Sequence, residues 1–116
     1  LRARQQEVLR QAPVPVAWHA HVGEAPPGPA IVIGNEFLDA LPIRQYVRGR
    51  AGWHERLVGL DGAGGLAFGL APEADPSVRA EGRPGDILEI GAAAAGASRA
   101  VAARLVRSGG GAPLID

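Results

Sequence analysis

The run Ala30-Ile31-Val32-Ile33-Gly34 passes directly into Asn35-Glu36-Phe37-Leu38-Asp39. An apolar run with no polar alternation suits a strand buried on both faces of a parallel sheet. Polar groups at the end of such a strand lie where open α/β sheets bind their ligands. This junction constrains the chain more than any other stretch. It calls for α/β architecture and puts a carboxamide and two carboxylates at the functional edge.

Composition narrows the classes that can use that edge. The chain has 116 residues, enough for a single small domain, with 12 basic and 12 acidic side chains and no net charge. Every basic residue is arginine, and the charges are interspersed. No basic stripe favours a nucleic-acid surface. Without cysteine there is neither a disulfide framework nor a thiolate metal site. No apolar run spans a bilayer and no secretory leader is visible, so a cytoplasmic location is the default expectation. Leu1 falls inside a helical pattern and Asp116 inside a strand pattern, so the chain reads as a piece of something larger.

Residues 1–43 read as a helix-strand-strand unit. "LRARQQEVLRQA" gathers Leu1, Val8 and Leu9 on one helical face. "PVPVAWHAHV" reads as a short strand with proline at its start, with Trp18 in the core. "AIVIG" is the buried strand. Residues 44–85 read as an inserted antiparallel meander with a trailing loop. Its runs "RQYVRGR", "GWHERLVGLD" and "GLAFGLA" are separated by glycine-rich turns. In the second run Trp53, Glu55 and Leu57 share one face, and His54, Arg56 and Val58 the other. The proline- and glycine-rich segment 71–85 has no periodicity and is expected to be mobile. Residues 86–116 give the short strand "DILEI", a helix with Ala94, Ala97, Val101 and Leu105 on one face, and the start of another strand. That helix carries arginine in its last turn and stops at a glycine run.

Two compatible readings apply to Asn35, Glu36 and Asp39. Asn35 suits a helix N-cap, and acids in the first turn suit the helix dipole. Alternatively Asn35 and Glu36 face a ligand, and the carboxylate holds a cation or guanidinium with bidentate geometry. Arg44, just after Pro42, is placed to reach back toward the carboxylates of the turn or to form a structural ion pair. His19 follows Trp18 at a strand end. His21 and His54 lack partners at metal-ligand spacing, which argues against zinc. Glu89 inside "DILEI" faces solvent or pairs with an arginine. No nucleophile elbow, P-loop or strand-following G-x-G-x-x-G is present.

The succession "GNEFLDALPIRQYV", "GWHERLVGLD", "LAFGLAP", "GDILEI", an alanine-rich helix and "GGGAPLID" resembles the MidA-like family. These are class I S-adenosylmethionine-dependent methyltransferases, among them a mitochondrial respiratory complex I assembly factor that methylates a protein arginine. The resemblance covers nearly the whole chain. It implies the central part of a Rossmann-like methyltransferase sheet carrying the inserted meander, with S-adenosylmethionine as cofactor. It also implies a protein substrate, of the kind found among respiratory complex I subunits, and a mitochondrial matrix location for eukaryotic relatives. It places the family's glycine-rich cofactor loop before Leu1. The sequence departs from the family at Ala20-His21, where an acidic residue is common.

On this resemblance Glu36 holds the substrate guanidinium, and Asn35 hydrogen-bonds on the cofactor or substrate side. Asp39 and Arg44 support substrate binding, His19 lies toward the cofactor, and the meander from Gln45 to Leu70 walls the cleft. The alternative is a non-catalytic assembly module that docks a partner's arginine. Methylation of another acceptor is a third reading, since fold does not determine function.

Overall fold

The computed structural model describes residues 1–115 and divides into two units. One comprises Leu1–Ile33 with Ala97–Pro113, the other Gly34–Gly96 with Leu114 and Ile115.

In the first unit, helix α1 spans Arg2–Val8 and a single 3-10 turn spans Val22–Glu24. The apolar face expected on α1 exists but is open: Leu1 is 98% exposed, and Val8 and Leu9 are also exposed. The strand expected at residues 13–22 does not form. Pro13 and Pro15 each lack the N–H that a ladder needs, and no described strand pairs with this segment. Trp18 is half-buried rather than core, and its indole N–H donates to Gln5 Oε1 at 3.1 Å.

Strand β1 (Ala30–Ile31) runs parallel to β7 (Gly110–Gly111), with Ala30 opposite Gly110. Gly110 has φ +124°, and a β-carbon there would collide with the Ala30 carbonyl, so only glycine permits this approach. The expected continuous strand is divided. Val32 and Ile33 separate β1 from β2 (Gly34–Asn35). On the other side Pro113, with no N–H to donate, lies between β7 and β8 (Leu114–Ile115). Nor is the run buried on both faces, because Ile31 is 79% and Ile33 73% exposed.

Helix α2 spans Ala92–Ser108, carries Arg107 in its last turn and ends where the Gly109 N–H donates to the Leu105 carbonyl at 2.8 Å. The face expected from periodicity is the shielded one: Ala94, Ala97, Val101 and Leu105 are all half-buried. From α2, Arg104 reaches the loop that follows the 3-10 turn. Its guanidinium donates to the carbonyls of Ala25, Pro26 and Gly28.

The second unit is built on an antiparallel sheet in the order β5-β4-β3-β6. These strands are β3 (Arg44–Arg48), β4 (Trp53–Leu60), β5 (Leu66–Leu70) and β6 (Ile87–Ile90). The three runs read from the sequence form consecutive antiparallel ladders, with Tyr46 opposite Glu55 and Val58 opposite Phe68. "DILEI" joins them too, pairing antiparallel with β3 so that Tyr46 lies opposite Leu88. Two-residue alternation then puts Arg44, Tyr46, Trp53 and Glu55 on one face, and Gln45, Val47, Arg56, Phe68 and Glu89 on the other.

Tyr46, 1% exposed, and Trp53, 3% exposed, are the buried apolar side chains among the described residues. Burial of such a side chain is worth about 1.5–3 kcal/mol. Segment 71–85, expected to be mobile, is pinned at both ends. The Asp75 N–H donates to the Trp53 carbonyl at 2.8 Å, the Gly85 N–H to the Arg48 carbonyl, and the Arg48 N–H to the Asp86 carbonyl. Trp53 Nε1 donates to the Ala80 carbonyl at 2.9 Å. The segment lacks periodicity because strand backbone and an indole satisfy it, not a ladder of its own.

Candidate functional site at the tip of strand β2

The polar tip begins where β2 pairs in parallel with β8, Gly34 opposite Leu114 and Asn35 opposite Ile115. One residue later the Glu36 N–H donates to the Ile115 carbonyl at 2.8 Å, and the chain turns. Glu36 takes φ +48° there, the one non-glycine residue with positive φ among those described. A left-handed conformation costs an L-residue roughly 1–2 kcal/mol and concentrates at functional sites. The helix that Asn35 was expected to cap does not follow, since φ +48° at Glu36 is incompatible with a first helical turn. Instead a short turn closes with Leu41 N–H donating to the Leu38 carbonyl at 3.2 Å. Pro42 then disfavours helical geometry at Leu41.

Asn35, Glu36 and Asp39 are all solvent-exposed on this turn. Among the described residues no ion pair engages the carboxylate of Glu36 or Asp39. Most other acids of this unit are committed. Asp61 accepts the N–H groups of Ala63 and Gly65, Asp86 accepts that of Arg83, and Glu89 accepts Gln45 Nε2 at 2.8 Å. Glu89 faces solvent, as expected, and its cross-ladder partner is a glutamine, not an arginine.

Arg44 does not brace the turn's carboxylates. Its guanidinium lies against Glu55, Nε to Oε1 at 2.7 Å and Nη2 to Oε2 at 2.6 Å, with Asp75 Oδ2 at 3.5 Å and the Tyr46 ring centroid 5.2 Å away. Register decides this: Glu55 lies opposite Tyr46 on the adjacent strand, on the same face as Arg44. The hydrogen bonds from Arg44 hold the Glu55 carboxyl below its ordinary range, and Glu55 in turn raises the Arg44 guanidinium.

The Ser77 hydroxyl and N–H, and then the Tyr46 hydroxyl, donate to Asp75 and keep its carboxyl low. Burial, and next the bond to Asp75, pushes the Tyr46 phenol up. Sequence reasoning did not single out Glu55, Asp75 or Tyr46 as one network. The available signals were the shared parity of Tyr46 and Glu55 across a hairpin, and Asp75-Pro76-Ser77, an Asx-turn composition.

His19 belongs to the other unit. It is exposed in the irregular segment before the 3-10 turn, where the Ala20 N–H donates to Glu24 and lowers that carboxyl. Asn35, Glu36 and Asp39 thus share one turn, and Arg44 stands on β3 of the same unit. Among the described residues no group of three or more His, Asp or Glu could hold a metal ion, and no helix is long and apolar enough to cross a membrane.

A carboxylate and a carboxamide on one turn can receive a cationic group by charge-assisted hydrogen bonds. Glu36 supplies anionic charge at a solvent-open position, and Asn35 supplies both a donor and an acceptor. Both stand on a turn anchored by a parallel ladder.

All 116 residues match the family model described as "Putative S-adenosyl-L-methionine-dependent methyltransferase". The mitochondrial protein arginine methyltransferase NDUFAF7 of Danio rerio is 30% identical, over 89% of this chain and 26% of its own length. The Caenorhabditis elegans homolog is 42% identical over 47% of this chain and 13% of its own. A Burkholderia thailandensis crystal structure bound to S-adenosyl-homocysteine, described as a "likely methyl transferase", superposes with a TM-score of 0.62 at 35% identity. It is covered over 90% of this chain and 29% of its own. A second structure from that organism gives 0.63 at 36% identity, over 90% of this chain and 30% of its own. The chain thus spans less than a third of the length of these relatives. With its whole length on the family model, the chain belongs to the family of S-adenosyl-L-methionine-dependent methyltransferases.

Proposed function

We propose that the protein carrying this chain transfers methyl groups to arginine of a partner protein, with the β2 tip as the acceptor side of its active site. The observation that carries the reading is Glu36: exposed, turned out by a left-handed backbone, and without an ion-pair partner among the described residues. A carboxylate so presented can take a guanidinium through two parallel hydrogen bonds. It draws positive charge toward the nitrogens it holds and leaves the remaining one more nucleophilic.

S-adenosylmethionine, when bound, supplies an electrophilic methyl on a sulfonium. Glu36 fixes the acceptor plane, and Asn35 orients the groups on either side. Asp39, on the same turn, adds negative charge that draws in the cation. His19 is assigned to the cofactor side, as the family resemblance implies. The catalysis asked of these residues is positioning and electrostatic preorganisation. In this reading the meander walls the substrate cleft within a Rossmann-like sheet. Arg44 holds Glu55 and Asp75 in that wall and so supports substrate binding from behind it. The names of the NDUFAF7 relatives support arginine as acceptor, and the family resemblance points to a respiratory complex I subunit as partner.

The test is transfer of isotope-labelled methyl from S-adenosylmethionine to a protein substrate by the full-length protein, with the modified residue located by mass spectrometry. Glu36→Gln should lose transfer by about 10²-fold or more while S-adenosylmethionine still binds in calorimetric titration. Full transfer by that variant would remove Glu36 from the chemistry. Label on a residue other than arginine would overturn the substrate class.

A further inference from the structure

Among the described residues the sheet of the second unit ends on two edges, β5 and β6, and they are not alike. Bonds at either end of the β4–β5 ladder set its phase: the Ala71 N–H donates to the Glu55 carbonyl and the Asp61 N–H to the Gly65 carbonyl, both at 2.8 Å. Alternation then turns the backbone groups of Ala67 and Gly69 toward β4, and those of Leu66, Phe68 and Leu70 away from it. On β6 the Arg48 N–H to Asp86 carbonyl bond leaves Ile87 and Glu89 outward by the same rule. Natural edges are defended by charge, proline or a bulge. Strand β6 carries Glu89, whereas β5 has none of these devices between Leu66 and Leu70.

We propose that the β5 edge pairs antiparallel with the β5 edge of a second copy, about a twofold axis through Phe68. The strand reads Leu66-Ala67-Phe68-Gly69-Leu70, which is nearly the same in both directions. Centred on Phe68, the pairing sets Phe68 opposite Phe68, Leu66 opposite Leu70, and Ala67 opposite Gly69. Large side chains meet large ones on one face, and small meet small on the other. The first two kinds of pair are the outward-facing ones, so each exchanges two N–H···O bonds. The alternating donors and acceptors of the edge are complementary to themselves under the twofold, and no charge in the strand opposes its copy.

The side chains are ready for such a partner. Leu66, Phe68 and Leu70 are 80%, 70% and 52% exposed. The Phe68 ring is already held by Arg56, whose guanidinium carbon lies 4.2 Å from its centroid and whose Nη1 donates to Gln45 Oε1 at 2.9 Å. An anchor ordered in advance loses less entropy on docking. A twofold contact of this kind is self-limiting, since the described residues carry one such self-complementary edge. Two four-stranded sheets become one continuous sheet, and β5 becomes internal.

The test uses the full-length protein with any native cysteines outside this chain changed to serine; this chain contributes none. Phe68→Cys should cross-link to itself under mild oxidation, because residues opposite in a bonded pair lie about 5.5 Å apart at Cα, within disulfide reach. Leu66→Cys should not cross-link alone but should do so when mixed with Leu70→Cys. Val58→Cys, one strand inward on the same face, should stay unlinked.

In light scattering across a concentration series, Leu66→Pro should weaken the dimer by at least about tenfold, since it removes only an outward N–H and leaves the β4 ladder intact. A monomer at every concentration overturns the proposal. So does a dimer indifferent to Leu66→Pro, or cross-linking without the stated register. Capture of an extended peptide from another protein at this edge, with no self-association, overturns it in favour of that occupant.

Discussion

Arg44 holds Glu55 by two parallel hydrogen bonds, 2.7 and 2.6 Å long, between neighbouring strands of the antiparallel sheet. The pair also sets Asp75, which accepts from the buried Tyr46 hydroxyl at 3.0 Å. Arg44→Lys keeps the charge and loses the planar fork. It should lower the stability of the protein measurably in urea, and Arg44→Met should do so further. Equal midpoints for all three proteins would show that the ion pair adds nothing to the sheet.

Tyr46→Phe isolates the hydroxyl. It deletes one bond to a carboxylate that keeps both Ser77 donors. A loss of about 0.5–1.5 kcal/mol is expected. Tyr46→Ala removes a ring that is 1% exposed and should cost about 3–5 kcal/mol. Urea denaturation followed by tryptophan fluorescence separates the two values.

The same cluster predicts a pH profile. Glu55 and Asp75 have folded-state pKa values below their ordinary ones. Their contribution is therefore complete above the unfolded-state values near pH 4 and is lost as pH falls through the lower folded values. Tyr46 is raised, so its contribution holds below about pH 10 and is lost as pH climbs toward the folded value. Thermal midpoints should fall at both extremes. The Tyr46→Phe protein should show a weaker alkaline fall.

Glu36 separates backbone from side-chain demands. Glu36→Gly supplies the conformation freely and should match or exceed the native stability by up to about 1 kcal/mol. Glu36→Val puts a β-branched residue at φ +48° and should destabilise by about 1–2 kcal/mol. Both should lose methyl transfer. A valine variant as stable as the native protein would mean that the turn relaxes without strain.

Gly82 is predicted to resist enlargement. A β-carbon there would lie 2.6 Å from Trp53 Cζ2. Gly82→Ala should cost about 1–3 kcal/mol and shift Trp53 emission as the indole gives way. Unchanged emission and stability would show that segment 71–85 moves aside instead.

Features with a strict period were the ones the sequence disclosed. Alternation at Trp53, Glu55 and Leu57 gave the faces of β4, and the spacing of Ala94, Ala97, Val101 and Leu105 gave the shielded side of α2. The junction at Asn35-Glu36 was legible because an apolar run ended abruptly in polar residues. What stayed hidden depended on pairing between distant segments. Arg44 meets Glu55 only once the turn between Gly49 and Gly52 sets a register. Asp75 meets Tyr46 only when an aperiodic loop folds back. The strand expected at residues 13–22 is absent because Pro13 and Pro15 remove its donors, which its apolar content does not offset. The positive φ at Glu36 leaves no mark in composition, since glutamate is not the residue that conformation favours.

Arg104 carries a consequence for how this scaffold tolerates change. Pro26, Pro27 and Pro29 leave their loop rich in acceptors and poor in donors, and the guanidinium supplies what is missing by gripping the carbonyls of Ala25, Pro26 and Gly28. It reads main chain, not side chains. Homologous loops can therefore drift in residue identity while keeping their path, provided the arginine on the helix is inherited. Alignments of this region should show a variable loop beside an invariant cation.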